Sequence, residues 1–232
     1  AHQSEIAALV TRMATGMVWA SRTFQDQDGV LADIAQLQRY CHIVIGEPTQ
    51  FVLRLIARRP LNPTETHDAL EVSELIQLAN VTRDIERDLA RGVAYHPALA
   101  PYLGSQPSTQ EAIDTVQRAR LSLTRAALSR VPAYRRLADA IHLRTVSPER
   151  GAAVAMLQFT AGHYERQAAL LGLPKARRAS PKGSVVAAAL AAGVSRRWAD
   201  RQLERSERRM LSLAAALESL PESAVTPRRR DT

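Results

Sequence analysis

From Ser4 to Leu220 the apolar residues return every three or four positions, and no run alternates with a period of two. Such a chain cannot present the faces of a half-buried sheet, so it has to bury helical stripes against one another. The expected fold class is all-α, with about eight helices in one domain over residues 1–220. No repeat of 20 to 50 residues is visible, which excludes a solenoid. Ala, Leu, Arg and Glu recur while Phe, Tyr and Trp reach only 4%, a mixture that favours helices on propensity.

Punctuation residues divide the chain. Ser4 caps a first helix whose Ile6, Leu9, Val10, Met13 and Met17 share one face. Gly16 within it is either tolerated or kept for close packing. Gln25 to Gly29 breaks the pattern, and Asp26 and Asp28 there read as solvated turn residues. Periodicity resumes at Leu31 and runs to Val44 and Ile45, where Gly46-Glu47-Pro48 should kink or split the helix. Tyr40 and Val44, just before that break, are candidates to line a pocket, although Tyr40 reads equally well as a core aromatic.

Asn62-Pro63 is a strong helix start, and the helix it opens should end near Arg91, with Gly92 as its cap. Ser108-x-x-Glu111 reads as a capping box before Ile113 to Leu128, and Pro132 begins a short helix. Ser147-Pro148-Glu149 starts a helix that stops at Gly172. Pro174 to Gly183 reads as a basic linker, Ser184 to Leu220 as one long helix, and residues 221–232 as a disordered basic tail.

The formal charge of +8, carried mostly by arginine, suits an anionic partner: nucleic acid, a lipid surface, or substrate phosphates. Basic residues from Lys175 to Arg201 lack interleaved aromatics and a recognisable binding motif, so no nucleic acid is expected. A single cysteine, Cys41, rules out an intrachain disulfide. The apolar run Val185 to Val194 is too short to span a bilayer. A cytoplasmic protein with peripheral membrane contact is expected, with a processed or truncated start because Ala1 replaces an initiator Met.

The chemistry concentrates in Gln77 to Pro97, QLANVTRDIERDLARGVAYHP. On a helix Asn80, Asp84 and Asp88 fall at i, i+4 and i+8 with Gln77 on the same arc, about 80° wide. Carboxylates so spaced can share Mg²⁺ while substrate phosphates and water fill its remaining positions. Arg83 and Arg91 would add phosphate contacts. On spacing alone, a solvated face with weak ion pairs explains the same pattern.

The stretch resembles, without a gap, the second aspartate-rich motif of the squalene and phytoene synthase family, Q-x-T-N-I-x-R-D-x-x-E-D-x-x-R-G-R-x-Y-x-P. Gln77, Asn80, Arg83, Asp84, Asp88, Arg91, Gly92, Tyr95 and Pro97 match it. Tyr40-Cys41-His42-Ile43-Val44-Ile45-Gly46 resembles the family's Y-C-H-x-V-A-G segment. Arg12-Met13 with Gly16-Met17 resembles its R-M-x-x-G-M run, and Tyr164 its later helical tyrosine.

The resemblance implies the all-α isoprenoid (terpenoid) synthase fold and head-to-head condensation of two prenyl diphosphates, farnesyl or geranylgeranyl. Squalene-type chemistry is weakly favoured. It implies Mg²⁺ on Asp84 and Asp88 with Asn80 and Gln77 in support, Arg83, Arg91 and Tyr95 at the substrate, and Tyr40 stabilising a cation or moving a proton. Met17 and Val44 would line the prenyl channel. A reductive step with NADPH is left open.

Departures from the pattern are Arg87 in place of an acid, Val93 in place of an arginine, and Ile45 with Pro48-Thr49 in the Y-C-H block. The family's first aspartate-rich motif has no counterpart in Asp26, Asp28 and Asp33. The chain is therefore expected to be an N-terminally shortened or divergent member. An impaired relative that binds prenyl lipid or serves as a subunit is the alternative.

Overall fold

The computed structural model describes residues 2–141, 148–173 and 182–221. Among them the helices are α1 (His2–Asp26), α2 (Ile34–Cys41), α3 (Glu47–Ala57), α4 (Pro63–Ala90), α5 (Gln110–Leu128), α6 (Val131–Ala140), α7 (Pro148–Leu170), α8 (Lys182–Val194) and α9 (Arg196–Glu218). A π-helical turn, His42–Gly46, joins α2 to α3, and a 3-10 segment, Pro97–Tyr102, follows α4.

The strongest local signals held. Asn62 caps α4 through a full capping box with Glu65, so two otherwise orphaned backbone donors are satisfied. At the far end Gly92 takes a φ of +78° and turns the chain out of the helix. Other boundaries move. α1 already begins at His2, which puts Ser4 inside it, and Thr109 rather than Ser108 caps α5. The Gly46-Glu47-Pro48 interruption is absorbed as the π turn, which admits one extra residue without breaking the helix. The long final helix is two helices: Ser195 leaves helical geometry and caps α9, accepting from the Trp198 N–H. Ser147, most of the basic linker and residues 222–232 lie outside the described residues.

α4 is the axis of the bundle, packed by α5, α6, α7 and the π turn. Leu75, Leu78, Ala79, Val81, Ile85 and Leu89 are all buried. Acids of its first half are spent on fastening. Arg59 grips Glu65 at 2.6 and 2.7 Å, and Arg136 grips Asp68 at 2.7 Å. Arg130 reaches Glu71 at 3.0 Å and Glu74 at 3.1 Å, with His42 on the other Glu74 oxygen at 2.8 Å. Buried Arg120 of α5 donates to the Thr82 carbonyl, Glu86 and Gln167, tying α4 to α7. Such pairs are costly to leave half made, so they fix which helix faces which.

Two glycines set distances. A Cβ on Gly16 would lie 2.4 Å from Ile43 Cγ2, so Gly16 is kept for close packing of α1 on the π turn. Gly29, at a φ of +88°, would place a Cβ 2.1 Å from the Gly92 carbonyl oxygen. That contact belongs to a staple in which Ala94 N–H donates to Gly29 O at 2.8 Å and Leu31 N–H to Ala94 O at 3.0 Å. Asp28 is an exposed turn residue, as expected, whereas Asp26, also exposed, is the last residue of α1.

Candidate active site

The second half of α4 carries the residues singled out by spacing, and its neighbours treat the two acids differently. Asp84 receives Arg83 Nε at 3.0 Å and Nη2 at 2.5 Å, and Arg87 Nη2 at 2.7 Å. Hydrogen bonding from Arg83 holds its carboxyl below the usual carboxylate range, outweighing partial burial. Arg87, a departure from the family pattern, thus reinforces Asp84. One turn on, the backbone carbonyl of Asp88 accepts from the Arg91 and Val93 N–H groups, but among the described residues its carboxylate accepts no hydrogen bond. Burial and then the charge of Asp84 raise its pKa, against the pull of Arg87, Arg91 and Arg83.

Asn80 donates its amide to Gln77 Oε1 at 3.2 Å, and Gln77 is buried. Arg91 is the exposed C-cap of the helix. Beyond it the Gly29–Ala94 staple delivers Tyr95 to Tyr40, hydroxyl to hydroxyl, and Phe24 meets both rings edge-on at centroid distances of 6.1 and 5.8 Å. Tyr95 is held neutral first by burial, then by its bond to Tyr40, with Asp88 and Asp84 adding to the effect.

Toward the N-terminus of α4 lies an apolar cavity of about 370 Å³. Val72, Leu75 and Ile76 form its α4 wall, Ile45, Pro48 and Val52 the side at the π turn and α3, Tyr134 and Leu137 that of α6, and Met156 and Leu157 that of α7. Ile76 and Asn80 are one helical turn apart, so the apolar wall passes directly into the polar strip. Ile45, not Val44, lines this cavity, because the π turn shifts the register just there. Met17 does not line it either and is 48% exposed on α1. Tyr40 belongs to the aromatic cluster. Tyr164 is fully buried and donates to the Leu75 carbonyl at 2.5 Å, which holds α7 to the cavity wall of α4.

Sequence spacing gave no sign of His163 and Arg166 on α7. Arg166 Nη2 lies 2.7 Å from His163 Nδ1, and because a guanidinium can only donate, the imidazole accepts there. Burial, followed by the charges of Arg166 and Arg83, pushes the His163 pKa down to about 4, against the attraction of Asp84. The group facing Asp84 from α7 is therefore a neutral imidazole backed by an arginine.

Among the described residues no three His, Cys, Asp or Glu side chains gather into a metal-binding group. The two aspartates suit a divalent ion in another way. Mg²⁺ is commonly held by one or two carboxylates and completed by substrate phosphates and water. Asp88, a half-buried carboxylate without a hydrogen-bond donor beside a second carboxylate, is a fitting ligand for such an ion.

The all-helical bundle around an apolar cavity is the architecture of the all-α isoprenoid synthase fold, to which the match of a family model assigns the chain. A family model, Squalene/phytoene synthase, matches residues 1–158, and the chain belongs to that family. No curated protein and no solved structure matches it. The family's general chemistry is the head-to-head joining of prenyl diphosphates, which makes this chain a prenyltransferase-like member of isoprenoid biosynthesis.

Proposed function

We propose that the chain condenses two molecules of farnesyl diphosphate head to head, with Mg²⁺ at Asp84 and Asp88. One observation carries this reading: Val72 and Ile76 wall an apolar cavity, and Asn80, Asp84 and Asp88 continue along the same helix as oxygen donors. An amphiphile with a greasy tail and a doubly charged head matches that order. The cavity, about 370 Å³, is larger than the roughly 150 Å³ that accommodates a benzene, so it has room for apolar prenyl carbons.

When bound, Mg²⁺ would neutralise the diphosphate and make it a better leaving group. Arg91, with Arg83 and Arg87 behind Asp84, adds positive charge at the departing oxygens. The C–O bond of one substrate breaks, and the double bond of the second attacks the allylic cation. A proton is lost as a cyclopropane closes, giving the cyclopropyl diphosphate. The apolar walls keep water from the cation, and the Tyr40 ring offers it a weakly basic face. The released diphosphate is the base that finally takes the proton, and the Tyr40 hydroxyl, hydrogen-bonded to the neutral Tyr95, relays it by accepting it as its own proton passes to the diphosphate.

Incubation with farnesyl diphosphate and Mg²⁺ tests this through released diphosphate and a presqualene-type product. Absence of both product and Mg²⁺-dependent diphosphate binding overturns it. A second reading, an impaired member that binds prenyl lipid or serves as a subunit, draws on the engagement of Asp84 by Arg83 and Arg87. Mg²⁺-dependent binding without turnover would select it.

A further inference from the structure

Helix α8 contains no acid, and its described side chains divide into a buried side and an exposed one. Ala192 is fully buried, on the side where α7 and α9 pack. On the opposite side Val186, Leu190 and Val194 are 57%, 70% and 78% exposed. At i, i+4 and i+8 they span an arc of about 80°, and Ala192 lies about 200° from its centre. Large apolar side chains stacked in this way on a continuous face mark a surface that meets something apolar.

The surroundings say what. The stripe ends at Ser195, and the first turn of α9 presents exposed Arg196 and Arg197. From Lys182 to Ala199 the sequence contains Lys182, Arg196 and Arg197 and no acidic residue. The next acid, Asp200, is already engaged by Arg150 and Arg196. A second copy of the chain is a poor occupant. Three side chains along about 12 Å of helix cover far less than the roughly 800 Å² per partner of a stable interface, and twofold pairing would bring like charges together. No described helix is long and apolar enough to cross a membrane, so the stripe would sit at a bilayer surface.

We propose that the α8–α9 corner docks on an anionic lipid bilayer. Val186, Leu190 and Val194 enter the headgroup–acyl boundary, and Arg196 and Arg197 meet lipid phosphates. This surface is separate from the α4 site and does not depend on the reaction assigned there.

Co-sedimentation of the full chain with phosphatidylcholine vesicles, with and without phosphatidylglycerol, tests it. Binding is expected to the anionic vesicles alone and to weaken with salt. The Arg196→Gln/Arg197→Gln variant should bind about 30-fold more weakly, and Leu190→Asp should lose binding while keeping its helical circular dichroism. Wild type that ignores anionic vesicles, or binding unchanged in both variants, overturns the proposal. So does a wild-type dimer in solution that Leu190→Asp converts to monomer, since the stripe would then be an interface between copies.

Discussion

The hydroxyls of Tyr40 and Tyr95 lie 3.4 Å apart although 55 positions separate them in the chain. The contact joins the end of α2 to the segment leaving α4, and Phe24 closes the cluster from α1. Either hydroxyl can donate, and the bond is long, so its worth is small. A double-mutant cycle of Tyr40→Phe and Tyr95→Phe should give a coupling of no more than about 1 kcal/mol in urea unfolding. If Tyr40 handles the proton, Tyr40→Phe lowers turnover far more than Tyr95→Phe does. Equal activities would leave the pair purely structural.

Gly29 and Gly92 both occupy positive φ, yet their surroundings predict unequal costs. Alanine at Gly29 meets the Gly92 carbonyl at 2.1 Å, whereas alanine at Gly92 meets nothing within 4 Å. Gly92→Ala should therefore cost only the left-handed penalty, about 1–2 kcal/mol. Gly29→Ala adds a backbone collision that breaks the Ala94 staple, and it should cost more than Gly92→Ala in thermal unfolding. It should also loosen Tyr95 from Tyr40, visible as increased access of Tyr95 to solvent.

At Gly16 the sign of a substitution depends on a neighbour. Alanine is the better helix former by roughly 1 kcal/mol, but Ile43 Cγ2 stands 2.4 Å from the new methyl and Cγ1 2.9 Å from it. A β-branched side chain has few rotamers with which to give way. Gly16→Ala should destabilise wild type by about 1–2 kcal/mol. In an Ile43→Ala background the same change should stabilise. Chemical denaturation of the four proteins checks the reversal.

The contrast between Gly16 and Gly92 shows what local sequence conveys. α4 was readable at both ends because Asn62, Pro63, Glu65 and Gly92 act on their own neighbours. The Asn80–Asp84–Asp88 strip followed from helical period alone. Whether Gly16 was tolerated or required depended on Ile43, which reaches it only through the tertiary fold. The same holds for the Gly29–Ala94 staple and for His163, which senses the charge of Asp84 from another helix and carries no spacing signature. The π turn escaped for a different reason. A Gly-Glu-Pro interruption is compatible with a kink, a break or one inserted residue, and packing of Gly46 against Leu70 and Ser73 is settled only when α4 is in place. Ser195 was missed because an Ala-rich run followed by arginines suits one helix as well as two.

Acid should loosen the start of α4. The bidentate Arg59 contact and the Asn62 backbone N–H lower the Glu65 pKa to about 2. Because the folded-state value lies below the unfolded one, the unfolded chain binds the proton more readily. The stabilisation is complete above about pH 4.5 and is lost as pH falls toward about 2. Arg59→Met removes the largest cause of the shift. Its unfolding midpoint should therefore show a smaller fall than wild type across this window, and be lower than wild type at neutral pH.

Asp84 and Asp88 should respond oppositely to loss of charge. Burial and the neighbouring Asp84 raise the Asp88 pKa, so its ionised form costs stability at neutral pH and the cost is relieved on protonation. Asp88→Asn keeps the shape and removes the charge, and it should raise the thermal midpoint. Asp84→Asn gives up charge-assisted bonds to Arg83 and Arg87 and should lower it. The Asp84 effect should be no more than about 1–2 kcal/mol, since both arginines remain partly solvated. Function should not follow stability. If Asp88 is the open ligand, Asp88→Asn loses Mg²⁺-dependent binding of inorganic diphosphate even as it gains stability, a combination that a solvated, structural carboxylate would not produce. Calorimetry of diphosphate binding with and without Mg²⁺, run beside thermal melts of the same two variants, separates these cases. A stabilised Asp88→Asn protein that still binds diphosphate only in the presence of Mg²⁺ would remove Asp88 from the metal site.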